Sequence, residues 1–442
     1  MKIKYLIFFL ICGISAQAQQ AFTLQQAIQY GTKNHLSVKN AELDIIGAEL
    51  TIKQIKASGL PQINGNFSYT YNAIIPTQLI DAKNFDPNAP DGAVTKFKFG
   101  VPWAGQAGVG VNQLIFDATW LVGLKAAPVY RELARKGVTN SKTAVAENVA
   151  KAYYSVLVAE ERSKILDLNI ARIDSLIKEM RVMNQQGFIE KLDLDRLEVQ
   201  RNNLLTETQK VKNLIILSQT LLKFQMGMKL DEPIVLSDKL ADVDIKPFTM
   251  LEFQAVDYAG RIEYSTLMVQ RQLMLFDKER IQKGVLPKFS FNGSLGAGHS
   301  NTRFNPFERW FGSSALTLGI QIPIYDSGLR KIQLQQQDLA LTKLDYNALL
   351  LRESFDLQAK TASINIRNGL ESLTVQQRNL DLAQEVVRVT KIKYQAGQGT
   401  NIEVVNAESA LKEAQTNYFA ALYDVLIAKV DLDKALGKLI VE

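Results

Sequence analysis

The chain has 442 residues, of which 47% are hydrophobic and 22% charged, proportions typical of a chain that buries a core. They exclude a disordered protein, a collagen and a small disulfide scaffold. The net charge of +6 is spread along the chain, without the basic run that binds nucleic acid. Two His and one Cys exclude a Cys/His zinc site and leave little material for a Ser-His-Asp centre. Composition therefore favours a protein that is not an enzyme, and we expect no cofactor or metal.

The first eighteen residues have the features of a secretory signal peptide. Lys2 and Lys4 precede the apolar run 5–14, and Ala16-Gln17-Ala18 is an A-x-A cleavage site. The run is too short to cross a bilayer as a helix, although a buried N-terminal strand is an alternative. The only cysteine, Cys12, lies in this run, and the residue before it is not the small residue of a lipid-attachment site. We therefore predict export without a lipid anchor.

The mature chain is a duplication, because the same signals occur twice in the same order. Ile115-Phe116-Asp117 returns as Ile324-Tyr325-Asp326, 209 residues later. Gly187 is followed six residues later by an acid, and the same pair occurs again 210 residues later, starting at Gly397. The pattern predicts four segments: a signal peptide over 1–18, a first repeat over 19–228 made of a helix, two strands and a long helical hairpin, a connecting segment over 229–250, and a second repeat over 251–442.

The first repeat carries an insertion. Pro61 and Pro287 lie 226 residues apart, whereas Asp117 and Asp326 lie 209 apart, so the first half has 17 extra residues. Four prolines stand in this stretch, which predicts a loop. We expect the segment 73–105 to be an extracellular loop.

Alternating polar and apolar residues predict four strands, over 62–71, 288–295, 315–322 and, more weakly, 106–111. One face is Ile, Phe, Tyr, Leu and Val, and the other is Gln, Asn, Ser, Thr and Gly. Each segment is close to the length of a tilted membrane-crossing strand, although a soluble sheet with one wet face is an alternative. Trp103, Trp120 and Trp310 lie near predicted strand ends, where interfacial aromatic residues of membrane barrels lie.

Long proline-free stretches predict long helices. Asp326 to Gly397 would extend roughly 105 Å as a helix, too long for one globular core, so it must pack against other long helices. Between 399 and 437 two sets recur every seven residues and predict a coiled-coil seam. The sets are Ala407, Ala414, Ala421, Ala428 and Ala435, and Val404, Leu411, Tyr418, Val425 and Leu432. In the first half, apolar residues also recur every seven positions, at Leu197, Leu204 and Val211. A soluble coiled-coil protein would also have this seam.

Four strands cannot close a barrel alone, and unpaired backbone groups are costly in hydrocarbon. Two chains would give eight strands and three would give twelve. Eight strands leave an interior just filled by side chains, whereas the small polar face here suits a wet lumen. We therefore expect a mixed α and β homotrimer. Its long α-helical coiled-coil barrel would be continuous with an antiparallel transmembrane β-barrel, with four strands per chain and twelve in the trimer.

Over residues 22–442 the chain resembles the TolC-type outer-membrane efflux and secretion channels. The resemblance rests on the duplicated plan, on Phe22-Thr23-Leu24-Gln25-Gln26-Ala27, on the two strand-to-helix turns and on the two Gly-x₅-acid turns. It implies a passive trimeric exit duct in outer-membrane lipid with a periplasmic extension. It also implies two partners, a periplasmic adaptor protein and an inner-membrane pump of the RND or ABC type.

The resemblance also implies a gate at the helical hairpin turns. Asp193 and Tyr394 match two of the family's periplasmic gate positions, whereas Gly399 stands where a basic partner is expected. Glu403 matches an acidic ring at the entrance, and Asn406 stands where a second acid is common, so we expect a less negative entrance. Asp193 and Glu403 could equally be acids that favour the positive end of a helix.

The hairpin turns themselves are marked by glycines. Gly187 and Gly397 serve the tight turns between helices, and with Gly399 they are possible adaptor contacts.

Two other classes of protein are alternatives to a channel. A secreted coiled-coil scaffold or adhesin would explain the helices but not the strands. An enzyme is disfavoured, because the acid pairs Asp193/Asp195 and Asp431/Asp433 are spaced so that the two members of each point to different faces of a helix. The sequence does not indicate whether the cargo is a drug, a metal ion or a protein.

Overall fold

The computed structural model describes residues 21–240 and 256–439. The predicted signal peptide, 1–18, lies outside the described residues, as does the stretch 241–255, which includes the end of the predicted connecting segment. The chain divides into two compact units. One is helical and uses the described parts of 1–44, 135–266 and 347–442. The other carries most of the strands and uses 45–134 and 267–346.

The elements follow one another in this order: β1 (Ala21–Phe22), α1 (Leu24–Asn34), α2 (Leu36–Ser58), β2 (Gln62–Tyr71), β3 (Thr77–Asp81), β4 (Val94–Lys98), β5 (Trp103–Phe116), α3 (Ala118–Gln185), α4 (Lys191–Met226), β6 (Val235–Leu236), α5 (Ile262–Lys283), β7 (Lys288–Asn301), β8 (Phe311–Gln321), α6 (Leu329–Gln395) and α7 (Asn401–Ala435). The prediction of a mixed α and β fold with very long helices is confirmed, since α3 has 68 residues and α6 has 67.

The four predicted strands form one antiparallel sheet in the order β2-β5-β7-β8. The two middle strands are longer than predicted, because β5 and β7 contain closely spaced glycines that hide the alternation. Gly108 and Gly296 pair across these strands, and a Cβ added to Gly296 would lie 2.9 Å from the carbonyl oxygen of Ala107. Glycine therefore permits a close backbone approach here that other residues would crowd.

The two faces of the sheet differ in chemistry, as predicted. One face is mostly small and polar, with Lys288 as a charged residue at the strand end, and includes Asn66, Ser68, Gln106, Asn292, Ser294 and Thr317. The other carries large apolar side chains such as Phe67, Leu295 and Leu316, all exposed in the single chain. The alternation predicted glycine on the polar face, with Gly293 among these residues. This prediction is wrong for Gly293, because the register pairs it with Val111 and Leu316 on the apolar face.

The insertion has structure of its own. β3 and β4 pair as an antiparallel hairpin, and the rings of Phe85 and Phe97 stack with centroids 5.8 Å apart. The prediction of a plain loop over 73–105 is therefore wrong in two respects. The segment holds a separate two-stranded sheet, and its last three residues belong to β5.

The repeated Ile-Phe-Asp and Ile-Tyr-Asp signals begin the two longest helices. Asp117 Oδ1 accepts hydrogen bonds from the backbone N–H and the hydroxyl of Thr119, both at 2.7 Å. Asp326 Oδ1 accepts from the backbone N–H of Gly328 at 3.1 Å. An aspartate at this position satisfies N–H groups that the first helical turn leaves unpaired. Each motif therefore changes the chain from strand to helix.

Hydrogen bonds of the Phe22-Thr23-Leu24 segment attach strand β1 to the rest of the helical unit. Asp238 Oδ2 accepts from the backbone N–H of Leu24 at 2.8 Å and lies 2.9 Å from the hydroxyl of Tyr153. That hydroxyl also lies 2.9 Å from the carbonyl oxygen of Phe22. Burial and the nearby Asp238 carboxylate raise the pKa of Tyr153, so the hydroxyl remains a donor.

The coiled-coil seam is confirmed in most of its positions. Leu197, Leu204 and Val211 of α4 are buried in one apolar cluster, as are Val404 and residues of α3. In α7 the predicted positions Ala414 and Tyr418 are only half-buried, and Gln415 and Phe419 are buried instead. The seam therefore shifts by one residue at this point.

We expect Leu204→Ala to destabilise the helical unit by about 2–5 kcal/mol, because it leaves a cavity in this cluster. Leu204 is 2% exposed, whereas its neighbour Leu205 is 39% exposed. Leu205→Ala is therefore the matched control and should cost less than about 1 kcal/mol. The measurement is thermal unfolding followed by helical circular dichroism, and equal shifts for the two variants would contradict the assignment.

Candidate functional site

The turns of the two long hairpins have the same geometry. Gly187 (φ 77°) follows α3 and Gly397 (φ 73°) follows α6, both in the left-handed region that favours glycine. In the first turn the N–H of Phe188 donates to the carbonyl of Met183, and in the second the N–H of Gln398 donates to that of Lys393, both at 2.9 Å. These are Schellman hydrogen bonds, which cap the C-terminus of a helix. Both glycines are exposed at the turns.

The first turns of α4 and α7 are joined by a side-chain link. Asn401 Nδ2 donates to the backbone carbonyl of Asp193 at 2.7 Å and to its Oδ1 at 3.1 Å. Asn401 is 4% exposed, whereas the Asp193 side chain is 28% exposed, so the link is partly buried. Arg196 Nη1 lies 3.5 Å from the same Oδ1. The structure therefore connects the two hairpins close to their turns through Asp193.

Tyr394 lies beside this link without joining it. Its hydroxyl is buried and has no hydrogen-bond partner among the residues that the structure describes. Burial and the negative charge of Asp193 raise the pKa of Tyr394, which places the two groups near each other. The ring packs against the apolar cluster of α3 and α4. The partner that Asp193 binds is thus Asn401, which sequence reasoning missed.

Gly399 and Glu403 lie next to the same link. A Cβ added to Gly399 would lie 3.2 Å from the backbone nitrogen of Tyr394 and 3.4 Å from Glu403 Oε2, so a larger residue would crowd the turn. Glu403 is exposed in the first turn of α7, and Asn406 is exposed one turn later. The carboxylate of Glu403 is therefore free to act on solvent ions.

Further along α7, two more polar side chains are buried against α3. Glu408 Oε1 lies 3.0 Å from Arg172 Nε, and Asn169 Nδ2 donates to Gln415 Oε1 at 2.6 Å. Sequence reasoning followed only the apolar positions of the seam and missed these residues. A usable signal was present, because Asn401, Glu408 and Gln415 recur every seven residues on one helix face.

The three tryptophans have two different settings. Trp103 packs against Tyr71 (4.5 Å between centroids) and Phe304 (5.0 Å). Trp310 stacks on His299 (5.4 Å between centroids). His299 pairs with Gly105, the third residue of β5, which begins at Trp103. Both tryptophans therefore belong to an aromatic cluster at one end of the sheet.

Trp120 lies at the other end of β5, in the first turn of α3. Its Nε1 donates to the carbonyl of Ile55 at 2.8 Å, and its ring fills the space where Gly59 has no side chain. This tryptophan therefore also joins α2 to α3.

None of the described helices combines the length and apolar character needed to cross a membrane. Within 21–240 and 256–439, no three His, Cys, Asp or Glu side chains are grouped so that they could hold a metal ion.

Comparison with known proteins agrees with this architecture. Residues 281–438 match the family described as "Outer membrane efflux protein". The chain is 19% identical over 342 residues to the outer membrane protein TolC of Vibrio cholerae, covering 75% of the chain and 76% of the relative. It is 21% identical over 453 residues to TolC of Escherichia coli, covering 97% and 85%. The crystal structure of CusC superposes with a TM-score of 0.73 at 14% identity, covering 95% of this chain and 92% of CusC.

The fold and these likenesses define an outer-membrane efflux channel with a periplasmic extension. The chain is similar to the TolC-type channels over most of its length, so the resemblance found in the sequence is confirmed.

We expect Asn401→Ala to raise single-channel conductance in planar bilayers, because it removes both hydrogen bonds between Asp193 and α7. The two bonds together contribute about 1–3 kcal/mol net, enough to bias a closed state. Tyr394→Phe is the matched control, since the hydroxyl that it removes has no hydrogen-bond partner. Its conductance should stay at the parent value. If Tyr394→Phe opens the channel and Asn401→Ala does not, the link is assigned to the wrong residue.

Proposed function

We propose that three copies of this chain form one closed exit duct, with a twelve-stranded barrel in the outer membrane. The observation that carries the proposal is the open sheet. Among the described residues β2 pairs only with β5 and β8 only with β7, so each outer strand has a free edge. Hydrocarbon cannot satisfy the backbone groups of a free edge, so the edges must pair with other copies.

The faces of the sheet support three copies rather than two. The polar face carries small, uncharged side chains that suit contact with water, and the apolar face suits contact with lipid. Eight strands would enclose an interior filled by side chains, whereas twelve leave space for a lumen. Trp103, Trp120 and Trp310 lie close to the strand ends, where membrane-interface aromatics are expected.

The helical unit also presents a surface for neighbouring copies. Leu350, Leu357 and Ile364 of α6 recur every seven residues and are exposed in the single chain. A heptad stripe of this kind packs against another helix. The described chain leaves it uncovered, and a second copy in the trimer would bury it.

The duplication supplies two hairpins to the periplasmic entrance. We assign the repeats to 19–228 and 251–442, with a signal peptide over 1–18 and a connecting segment over 229–250. At the gate Asp193 binds Asn401, and Tyr394 contributes its ring, which packs against the α3–α4 cluster, rather than its hydroxyl. Glu403 forms a ring of three carboxylates in the trimer. The turns at Gly187, Gly397 and Gly399 face the adaptor.

The duct works with partners and performs no chemistry. Its relatives are channels, which supports a passive conduit rather than an enzyme. A periplasmic adaptor protein and an inner-membrane pump of the RND or ABC type would deliver the cargo. A secreted scaffold would have the helices but no use for a sheet with an exposed apolar face.

Membrane fractionation followed by planar-bilayer recording tests the proposal. The protein should separate with outer-membrane vesicles, and the detergent-purified protein should insert in discrete conductance steps. A protein that stays in the soluble fraction and never inserts would contradict the duct and support the scaffold.

We expect Glu403→Gln to lower the preference for cations over anions, because a ring of three carboxylates concentrates positive ions. Asn406→Asp should do the reverse by adding a second ring one turn away. Glu413→Gln, an exposed acid on another face of α7, is the control. The measurement is the reversal potential under a salt gradient. Equal reversal potentials for all three variants would show that the Glu403 carboxylate does not line the entrance.

A further inference from the structure

Fixed charge is nearly absent from the four-stranded sheet. Among the residues of β2, β5, β7 and β8, Lys288 is the only Lys, Arg, Asp or Glu. Its Nζ lies 3.0 Å from Oδ2 of Asp117, which directly follows β5. This salt bridge offsets the charge of Lys288 at the end of the sheet where strands join helices α3 and α5. The strands themselves therefore carry no unpaired fixed charge on the polar face.

Arg309 lies at the opposite end of the sheet, which we call the far end, in the connection between β7 and β8. Its guanidinium carbon is 5.2 Å from the centroid of the Phe311 ring. Phe311 occupies an odd-numbered position of β8, like Ser313 and Thr317, so its ring lies on the polar face. The guanidinium of Arg309 therefore also lies on the polar face.

Two hydrogen bonds hold the backbone beside this guanidinium. Nδ1 of His299, which is 3% exposed, lies 3.1 Å from the carbonyl oxygen of Arg309. A carbonyl can only accept, so this ring nitrogen donates. The indole Nε1 of Trp310 donates to the carbonyl of Pro306 at 2.9 Å, and the indole ring stacks on His299. Trp310 is thus fixed on the apolar face, and its neighbour Arg309 is directed to the other face.

No carboxylate of the described chain neutralises Arg309. The adjacent acid, Glu308, instead accepts a hydrogen bond from the side-chain amide of Asn301, and the amide of Asn305 lies 3.5 Å from the same carboxylate oxygen. Arg309 is exposed and takes part in none of the ion pairs formed between described residues. Its guanidinium is therefore available to an anion from solution.

We propose that the three Arg309 side chains of the trimer form a ring of positive charge at the far end of the lumen, and that this ring selects cargo bearing carboxylate or phosphate groups. The inference rests on the proposed function as a trimeric duct, in which the polar face lines the lumen. A guanidinium presents paired N–H donors that match the oxygens of either group. A ring of fixed charge in a pore concentrates ions of the opposite sign.

Phe311 is a positioning residue in this proposal, because its ring holds the guanidinium through a cation–π contact. The competing explanation is that Arg309 anchors the sheet by binding the phosphate of a lipid headgroup. That role requires the guanidinium on the lipid-facing side, with Trp310. The contact with Phe311 places the guanidinium on the polar side instead.

Reversal potentials under a salt gradient test the inference, in planar bilayers of phosphatidylcholine, whose headgroups carry no net charge. Arg309→Gln should shift the reversal potential towards a stronger preference for cations, whereas Arg309→Lys keeps the charge and should stay near the parent value. Arg303→Gln is the matched control, since it removes another exposed arginine from the same connection. Its shift should be the smaller one. Equal shifts for Arg303→Gln and Arg309→Gln would contradict a ring formed by Arg309.

The role of Phe311 has its own readout. Phe311→Leu removes the aromatic ring without changing any charge, so it should shift the reversal potential in the same direction as Arg309→Gln but less far. Phe311→Tyr keeps an aromatic ring and should restore the parent value. A parent-like reversal potential for Phe311→Leu would show that the cation–π contact does not position the guanidinium.

Block by inorganic tripolyphosphate tests the anion site directly. It should reduce the current of the parent channel, and the concentration for half block should rise at least about tenfold in Arg309→Gln. Repeating both measurements in the Glu403→Gln background removes the opposing charge of that residue. The inference is wrong if Arg309→Gln changes neither the reversal potential nor the block, as an arginine bound to lipid headgroups would. A parent protein that never inserts in conductance steps would instead contradict the proposed duct.

Discussion

The proposed duct depends on one constraint, the need to pair every backbone hydrogen-bonding group of a sheet that would lie in lipid. β2 and β8 end the described sheet with free edges, and only more strands can satisfy them. If further copies supply those strands, the polar face of the sheet lines a lumen and the apolar face meets lipid. The exposed apolar side chains of the heptad stripe on α6 likewise need neighbouring helices to cover them.

Much of this fold could be predicted from the sequence, because period-two and period-seven patterns report directly on which face is buried. The patterns over 62–71 and 315–322 gave nearly correct strands. They failed in β5 and β7, where glycines at close backbone contacts carry no polar or apolar signal. Within the insertion, the prolines concealed β3 and β4, since proline also occurs beside short strands.

The candidate site was harder to predict, since it depends on contacts between the two repeats. The family resemblance indicated Asp193 and Tyr394, and the glycines indicated the hairpin turns, but neither could show that Asp193 binds Asn401. Glu408 and Gln415 were missed for a related reason. A polar residue at a seam position can be identified as buried only when its partner, here Arg172 or Asn169, is known.

The number of chains in the detergent-solubilised particle tests the central claim most directly. Light scattering combined with refractive-index and absorbance detection gives the protein mass apart from the bound detergent. The account predicts three chains, since three four-stranded sheets close a barrel wide enough for a lumen. A particle of one or two chains would leave the edges unpaired or the interior filled, and would contradict the duct.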